Sequence, residues 1–237
     1  MGEAQRLTYA ELKQLSDRLA GGLVEIGLEK DDILMVQLPN VVELVVVYLA
    51  AARIGAIVSP LPVQYRKHEL RQVMRLTEPR VFVTTSNFGG FDFLQMVGEL
   101  KAEFPSLERV IAIGETVPEG VLGLGDLLSA SRNEGVLHEY LEAKDHRVSA
   151  NDILTVCWTS GTEGDPKGVP RSHNHWIWIA YATLDGCELQ PGCHLLNPFP
   201  LVNMAAIGGM MVPWLLTGGK LVLHHPLDVA VLLAQIQ

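Results

Sequence analysis

The stretch Ile153-Leu154-Thr155-Val156-Cys157-Trp158 runs directly into Thr159-Ser160-Gly161-Thr162-Glu163-Gly164-Asp165-Pro166-Lys167-Gly168-Val169. The first six residues form a short, nearly continuous apolar run, the pattern of a strand buried on both faces. The next eleven hold three glycines, three hydroxyls and one lysine. Glycine lets a backbone approach a ligand closely, and successive inward N–H groups make a nest for an anion. Thr159, Ser160 and Thr162 add short donors, and Lys167 adds a mobile positive charge. On composition the segment reads equally as a phosphate cradle or as an ordinary Gly/Pro turn between a strand and a helix. It is not a Walker A loop, because Lys167 precedes a glycine instead of following one into a hydroxyl residue.

Upstream of this stretch, strand and helix signals alternate. Thr8 with Glu11 three residues on is a capping box, and Leu12, Leu15, Leu19 and Leu23 then recur at helical spacing up to Gly27. Residues 33–38 read as a buried strand broken by Pro39-Asn40, and 41–54 as a helix closed by Gly55. Strands at 56–59, 81–84 and 110–113 alternate with helices at 67–76 and 93–104. That alternation predicts an α/β fold with a mostly parallel sheet flanked by helices. From residue 114 to 149 the pattern weakens to glycines, polar residues and a short helix at 124–128, read as a surface excursion or connection. The division expected is a first α/β unit over 1–113, a connection over 114–150, and the phosphate loop with the start of a second unit over 151–237.

Composition excludes several classes of function. A net charge of −9 without a Lys/Arg cluster argues against nucleic-acid partners. The three cysteines Cys157, Cys187 and Cys193 match no zinc spacing and read as reduced thiols. The apolar run 41–62 is interrupted by Glu43 and Arg53, so no membrane span is expected, and the N-terminus lacks a signal peptide's pattern. A cytoplasmic protein is expected.

The string Thr-Ser-Gly-Thr-x-Gly-x-Pro-Lys-Gly-Val at 159–169 resembles the phosphate-binding signature of the adenylate-forming superfamily, which includes acyl-CoA synthetases, firefly luciferase and peptide-synthetase adenylation domains. Arg171-Ser172-His173-Asn174 resembles the family's entry into the next helix. Leu7-Thr8-Tyr9-Ala10-Glu11-Leu12 is similar to its opening motif, as are Gln37-Leu38-Pro39-Asn40, Arg53-Ile54-Gly55-Ala56, Tyr65-Arg66 with Glu69-Leu70, Pro198-Phe199-Pro200-Leu201 and Gly218-Gly219 to its other segments.

The resemblance implies that a carboxylic acid attacks the α-phosphate of ATP, forming an acyl-adenylate that then meets a thiol such as that of CoA. It assigns Thr159, Ser160, Gly161, Thr162, Gly164 and Lys167 to the β- and γ-phosphates, and Thr162 also to Mg2+. Pro200, Asn203 and Met204 fall on its acid-pocket segment. There Asn203 stands where a histidine is usual, and it reads equally as a plain turn residue. His173 and His175 read as surface or cap residues. Of Trp176 and Trp178, which fall on opposite sides of a helix, at least one is expected in the core, together with Met210, Met211 and Trp214. The small-molecule partner implied is an aryl, alicyclic or medium-chain carboxylic acid. The family's later motifs, including its C-terminal domain, do not occur in these 237 residues. The expectation is therefore a partial N-terminal domain, inactive alone and prone to self-association as a homo-oligomer. The alternatives are a nucleotide-binding module without ligase activity and an aryl-acid enzyme that loads a carrier protein.

Overall fold

Helix α1 (Tyr9–Glu25) begins on the capping box read from the sequence: Thr8 Oγ1 accepts from the Glu11 amide, and the Glu11 carboxylate accepts from the Thr8 amide at 2.7 Å. Strand β1 (Ile33–Gln37), helix α2 (Val42–Ile54) and strand β2 (Ile57–Pro60) come next. The β-branched run in α2 is helical because nearly all of it is buried, and Gly55 ends it in the left-handed region at φ 77°. Helix α3 (Lys67–Thr77), strand β3 (Val81–Thr85), a small hairpin of β4 (Asn87–Phe88) and β5 (Phe91–Asp92), helix α4 (Phe93–Glu103) and strand β6 (Arg109–Ile113) complete the alternation. The structure is a computed structural model that describes residues 5–114, 117–130, 133–143, 146–159, 166–224 and 226–236.

The stretch expected to be a surface excursion instead joins the body of the fold. It supplies strand β7 (Leu122–Gly123), which pairs with β6, and helices α5 (Leu124–Ser129) and α6 (Asn133–Glu142), which pack on α1. The approach of α6 to α1 is close: a Cβ on Gly21 would lie 1.8 Å from the Asn133 carbonyl oxygen. Tyr140 of α6 reaches across to donate to the Ile54 carbonyl and accept from the Lys30 amide, and the His146 ring stacks on it at 3.8 Å.

Strand β8 (Ile153–Trp158) pairs parallel with β2, and β9 (Gly168–Ser172) turns back antiparallel on β8. The seven-stranded sheet has the order β7-β6-β3-β1-β2-β8-β9. The division expected at 151 groups β8 with the later elements, whereas the sheet sets β8 beside β2. Helices cover both faces. Leu19, Leu23, Val46, Tyr48 and Trp176 belong to one core, and Met35, Phe82, Phe93 and Val97 to the other. Strands covered on both sides are apolar throughout, which is why they read as runs and not as alternations.

Beyond β9, helix α7 (His173–Gly186) leads to strand β10 (His194–Asn197). The next segment is helical and consists of α8 (Met204–Ala206), a π-helical turn (Ile207–Met211) and α9 (Val212–Thr217). Strand β11 (Lys220–Leu223) then pairs parallel with β10. Gly208 in the π turn lies so near Trp176 and Ile179 that a Cβ there would meet Ile179 at 2.5 Å. Trp176, Met211 and Trp214 are buried and Met210 is half-buried, as expected, while Trp178 is 74% exposed. The last helix, α10 (Val229–Ile236), buries no residue and exposes Val229, Leu233 and Ile236. No helix among the described residues is long and apolar enough to cross a membrane.

Candidate functional site

The glycine-rich string joins strands β8 and β9, which form an antiparallel ribbon. At the top of the ribbon Trp158 stands opposite Gly168. A Cβ on Gly168 would lie 2.7 Å from Val156 Cγ1 and 3.1 Å from the Trp158 ring, so glycine is what lets β9 close against β8. One residue further out the neck is tied by two bonds. The Thr159 amide donates to the Lys167 carbonyl at 3.1 Å, and the Lys167 amide meets Thr159 Oγ1 at 3.4 Å.

The Thr159 amide is therefore committed within the ribbon, while its hydroxyl hydrogen can still be donated outward. Thr159 and Lys167 are both exposed, and the Lys167 ammonium meets no carboxylate among the described residues. Ser160, Gly161, Thr162 and Gly164 lie outside the described residues, as do Glu163 and Asp165. Pro166 is buried and anchors the return of the chain.

Below the neck, Ser172 caps α7. Its hydroxyl accepts from the His175 amide, and its own amide donates to His175 Nδ1, both at 3.2 Å. The pattern is a capping box with an imidazole where Glu or Gln is usual, so His175 is the cap residue that the sequence suggests. His173 is half-buried, and burial pulls its imidazole pKa down, opposed by the neighbouring Asp152. Burial likewise pushes the Cys157 thiol up, against a hydrogen bond from Thr155 and the positive field of Arg171. Cys157 packs against the core, and a raised thiol is a poor nucleophile.

The second set of candidates comes close through Arg171. This residue of β9 stands opposite Thr155, and its guanidinium reaches Met204 Sδ at 3.6 Å. The structure thus brings Met204 beside the strand that follows the 159–167 segment. Met204 is 52% exposed, and Pro200 and Asn203 are exposed too. Asn203 caps α8, its Oδ1 accepting from the Ala206 amide at 3.1 Å. Its Oδ1 is thus engaged in the helix cap.

The turn that carries these residues is held from the other side by a residue whose role the sequence hides. Asn40, at the carboxyl end of β1, donates through Nδ2 to the Phe199 carbonyl at 2.8 Å and the His224 carbonyl at 3.4 Å. It accepts from the Leu201 amide at 2.9 Å. Tyr48 of α2 donates to the Leu201 carbonyl at 2.7 Å, and its full burial pushes its hydroxyl pKa well up, so it remains a neutral donor. The sequence marks position 40 within Gln37-Leu38-Pro39-Asn40, an asparagine after a strand-ending proline, but not what that asparagine bonds to. A cavity of about 1020 Å3 is lined by Asn40 together with Thr85 and Ile113 at the ends of β3 and β6, Trp214, and Lys220 of β11. Neither the loop neck nor the 200–204 turn lines it.

Among curated proteins, the chain is 32% identical over 242 residues to a mitochondrial medium-chain acyl-CoA ligase, ACSF2, of Mus musculus, covering 93% of the chain and 38% of that protein. It is 28% identical over 218 residues to the 2,3-dihydroxybenzoate-AMP ligase of Bacillus subtilis (strain 168), covering 91% of the chain and 38% of that protein. The chain thus spans about two-fifths of the length of the relatives it matches. Among solved structures, apo MbtA of Mycobacterium smegmatis superposes with a TM-score of 0.83 at 23% identity, over 100% of this chain and 42% of that one, which shows a shared fold. The model of the AMP-binding enzyme family matches residues 1–237, every residue of the ribbon, the neck and the Asn40-held turn included, and the chain belongs to that family.

Proposed function

We propose that the protein carrying this chain activates a carboxylic acid with ATP, forming an acyl-adenylate and releasing pyrophosphate. One observation carries the reading: Lys167 stands exposed at the tied neck of a glycine-rich loop, on a ribbon whose closure requires Gly168. The β- and γ-phosphates are assigned to Thr159, Ser160, Gly161, Thr162, Gly164 and Lys167. Mg2+ would travel with those phosphates and neutralise their charge, with Thr162 as its candidate ligand from this chain. Catalysis of this kind is mostly positioning and charge stabilisation. Pro200, Asn203 and Met204 are assigned to the wall of the acid pocket, one strand away from the loop.

The thiol acceptor is proposed to be CoA, which makes the enzyme an acid–CoA ligase. Relatives named as an acyl-CoA ligase and as an AMP ligase support the two acceptor readings in parallel, and the second reading is an aryl-acid enzyme that loads a carrier protein. The three free cysteines favour a cytoplasmic setting. The exposed apolar side of α10 favours self-association of the isolated chain. We further assign β10, β11 and their helices to the start of a second α/β unit.

Acid-dependent exchange of pyrophosphate into ATP, run on the complete protein with a panel of aryl, alicyclic and medium-chain acids, tests the reading. Exchange with at least one acid is expected. Lys167→Ala is expected to raise the KM for ATP about tenfold or more, the worth of one charge-assisted hydrogen bond. No exchange with any acid, or an unchanged KM in the variant, overturns the assignment. CoA-dependent release of AMP separates the CoA ligase from the carrier-protein reading.

A further inference from the structure

We infer that Asn40 and Tyr48 are positioning residues for acid recognition, and the inference rests on the assignment of the 200–204 turn to the acid pocket. Between β10 and α8 the chain has no regular element, so its backbone groups need partners from elsewhere. They find them in the loop after β1 and on helix α2. Asn40 is 7% exposed and comes after Pro39 in the loop leaving β1. That loop leaves β1 on the side of the sheet where Asn40 can meet the 199–201 backbone.

The Asn40 carboxamide holds the Phe199 carbonyl at 2.8 Å and the Leu201 amide at 2.9 Å. The Tyr48 hydroxyl holds the other side of the same residue, the Leu201 carbonyl, at 2.7 Å. Both polar backbone groups of Leu201 are thus fixed by side chains more than 150 positions away in sequence. The Leu201 side chain is itself fully buried, so the turn is pinned at one residue on three sides. Two residues later Asn203 starts α8, and Met204 emerges beside Arg171. A shift at Leu201 is passed directly to these exposed side chains. The loop neck, tied to β8 and β9, is held independently.

The expected signature is therefore selective. In the complete protein, Tyr48→Phe keeps the buried ring and removes one hydrogen bond. It should raise the KM for the acid about fivefold and lower the melting temperature by a few degrees, since the Leu201 carbonyl loses its partner, leaving the KM for ATP nearly unchanged. Asn40→Ala removes the carboxamide and should raise the acid KM by roughly tenfold to a hundredfold, the scale set by a small misplacement of binding groups. Both variants should also narrow the preference of the pyrophosphate exchange between large and small acids. Exchange in the unaltered protein with unchanged acid KM in both variants overturns this inference alone. Equal rises in the KM for acid and ATP mean general loosening and overturn it too. No acid-dependent exchange in the unaltered protein overturns the acid-activating reading, and this inference with it. If Asn40→Ala fails to fold, Tyr48→Phe decides.

Discussion

The indole nitrogen of Trp158 donates to the Ser59 hydroxyl at 2.9 Å, tying the last residue of β8 to the strand beside it. Ser59 is fully buried, and Trp158 is also the wall against which Gly168 closes. Ser59→Ala leaves the indole N–H without its partner in a half-buried place. We expect a loss of about 1–3 kcal/mol, read from urea unfolding. Weaker ATP binding should accompany it, since the ring supports the neck of the loop.

Gly168→Ala should act more directly on the loop. The added methyl meets Val156 and the Trp158 ring, and neither can retreat without opening the ribbon. A loss of about 1–3 kcal/mol is expected. ATP affinity measured by calorimetry should fall by more than that loss alone predicts, because the neck bonds between Thr159 and Lys167 are strained as well.

Gly21→Ala tests the packing of α6 on α1. Its Cβ would sit 1.8 Å from a backbone oxygen, which no rotamer change relieves. Destabilisation of about 3 kcal/mol is expected, at the upper end for overpacking. Gly135→Ala, on α6 itself, meets nothing within 4 Å. It should stabilise by about 0.5–1 kcal/mol through helix propensity, which makes it the matched control for thermal melts.

Stability should fall with acid in two limbs. Burial lowers the His173 pKa, so the unfolded chain takes up its proton first, and stability is lost as pH falls from about 6.5 towards the lower folded value. Asp152 is held below the usual aspartate value by Lys30, with help from the Ser149 amide and His173. Its contribution is present above about pH 4 and disappears as pH drops through the depressed value. Urea midpoints measured from pH 8 to pH 3 should lose the first limb in His173→Gln and the second in Asp152→Asn.

Much of this fold is legible in the sequence because burial writes itself as apolar runs. The Thr8 capping box, the runs at β1, β3 and β8, and the Gly55 stop all appear where local chemistry places them. Strand β9 does not, because Gly168 and Pro170 are poor strand formers. It exists because β8 offers an edge, and there the missing amide of Pro170 is tolerated. Helix α6 is equally hidden. Its apolar positions are few, and the groove that holds it is built from Gly21 and Gly22 on another helix. At the candidate site the string 159–169 is readable as a string, with its neck found in the ribbon. The hold of Asn40 on Leu201 is not readable, since a side-chain bond spanning 161 positions leaves no periodic trace.

The return of the loop into a strand has an electrostatic consequence. Where a phosphate-gripping loop opens directly into a helix, the aligned peptide dipoles lend about half a positive charge to the anion. Here the chain enters β9 first, and α7 begins only at His173. Among the residues proposed to hold a triphosphate tail, Lys167 alone carries a full positive charge, and it is exposed, where charges are screened within about 8 Å at physiological ionic strength. Nucleotide capture by this protein should therefore be unusually sensitive to added salt.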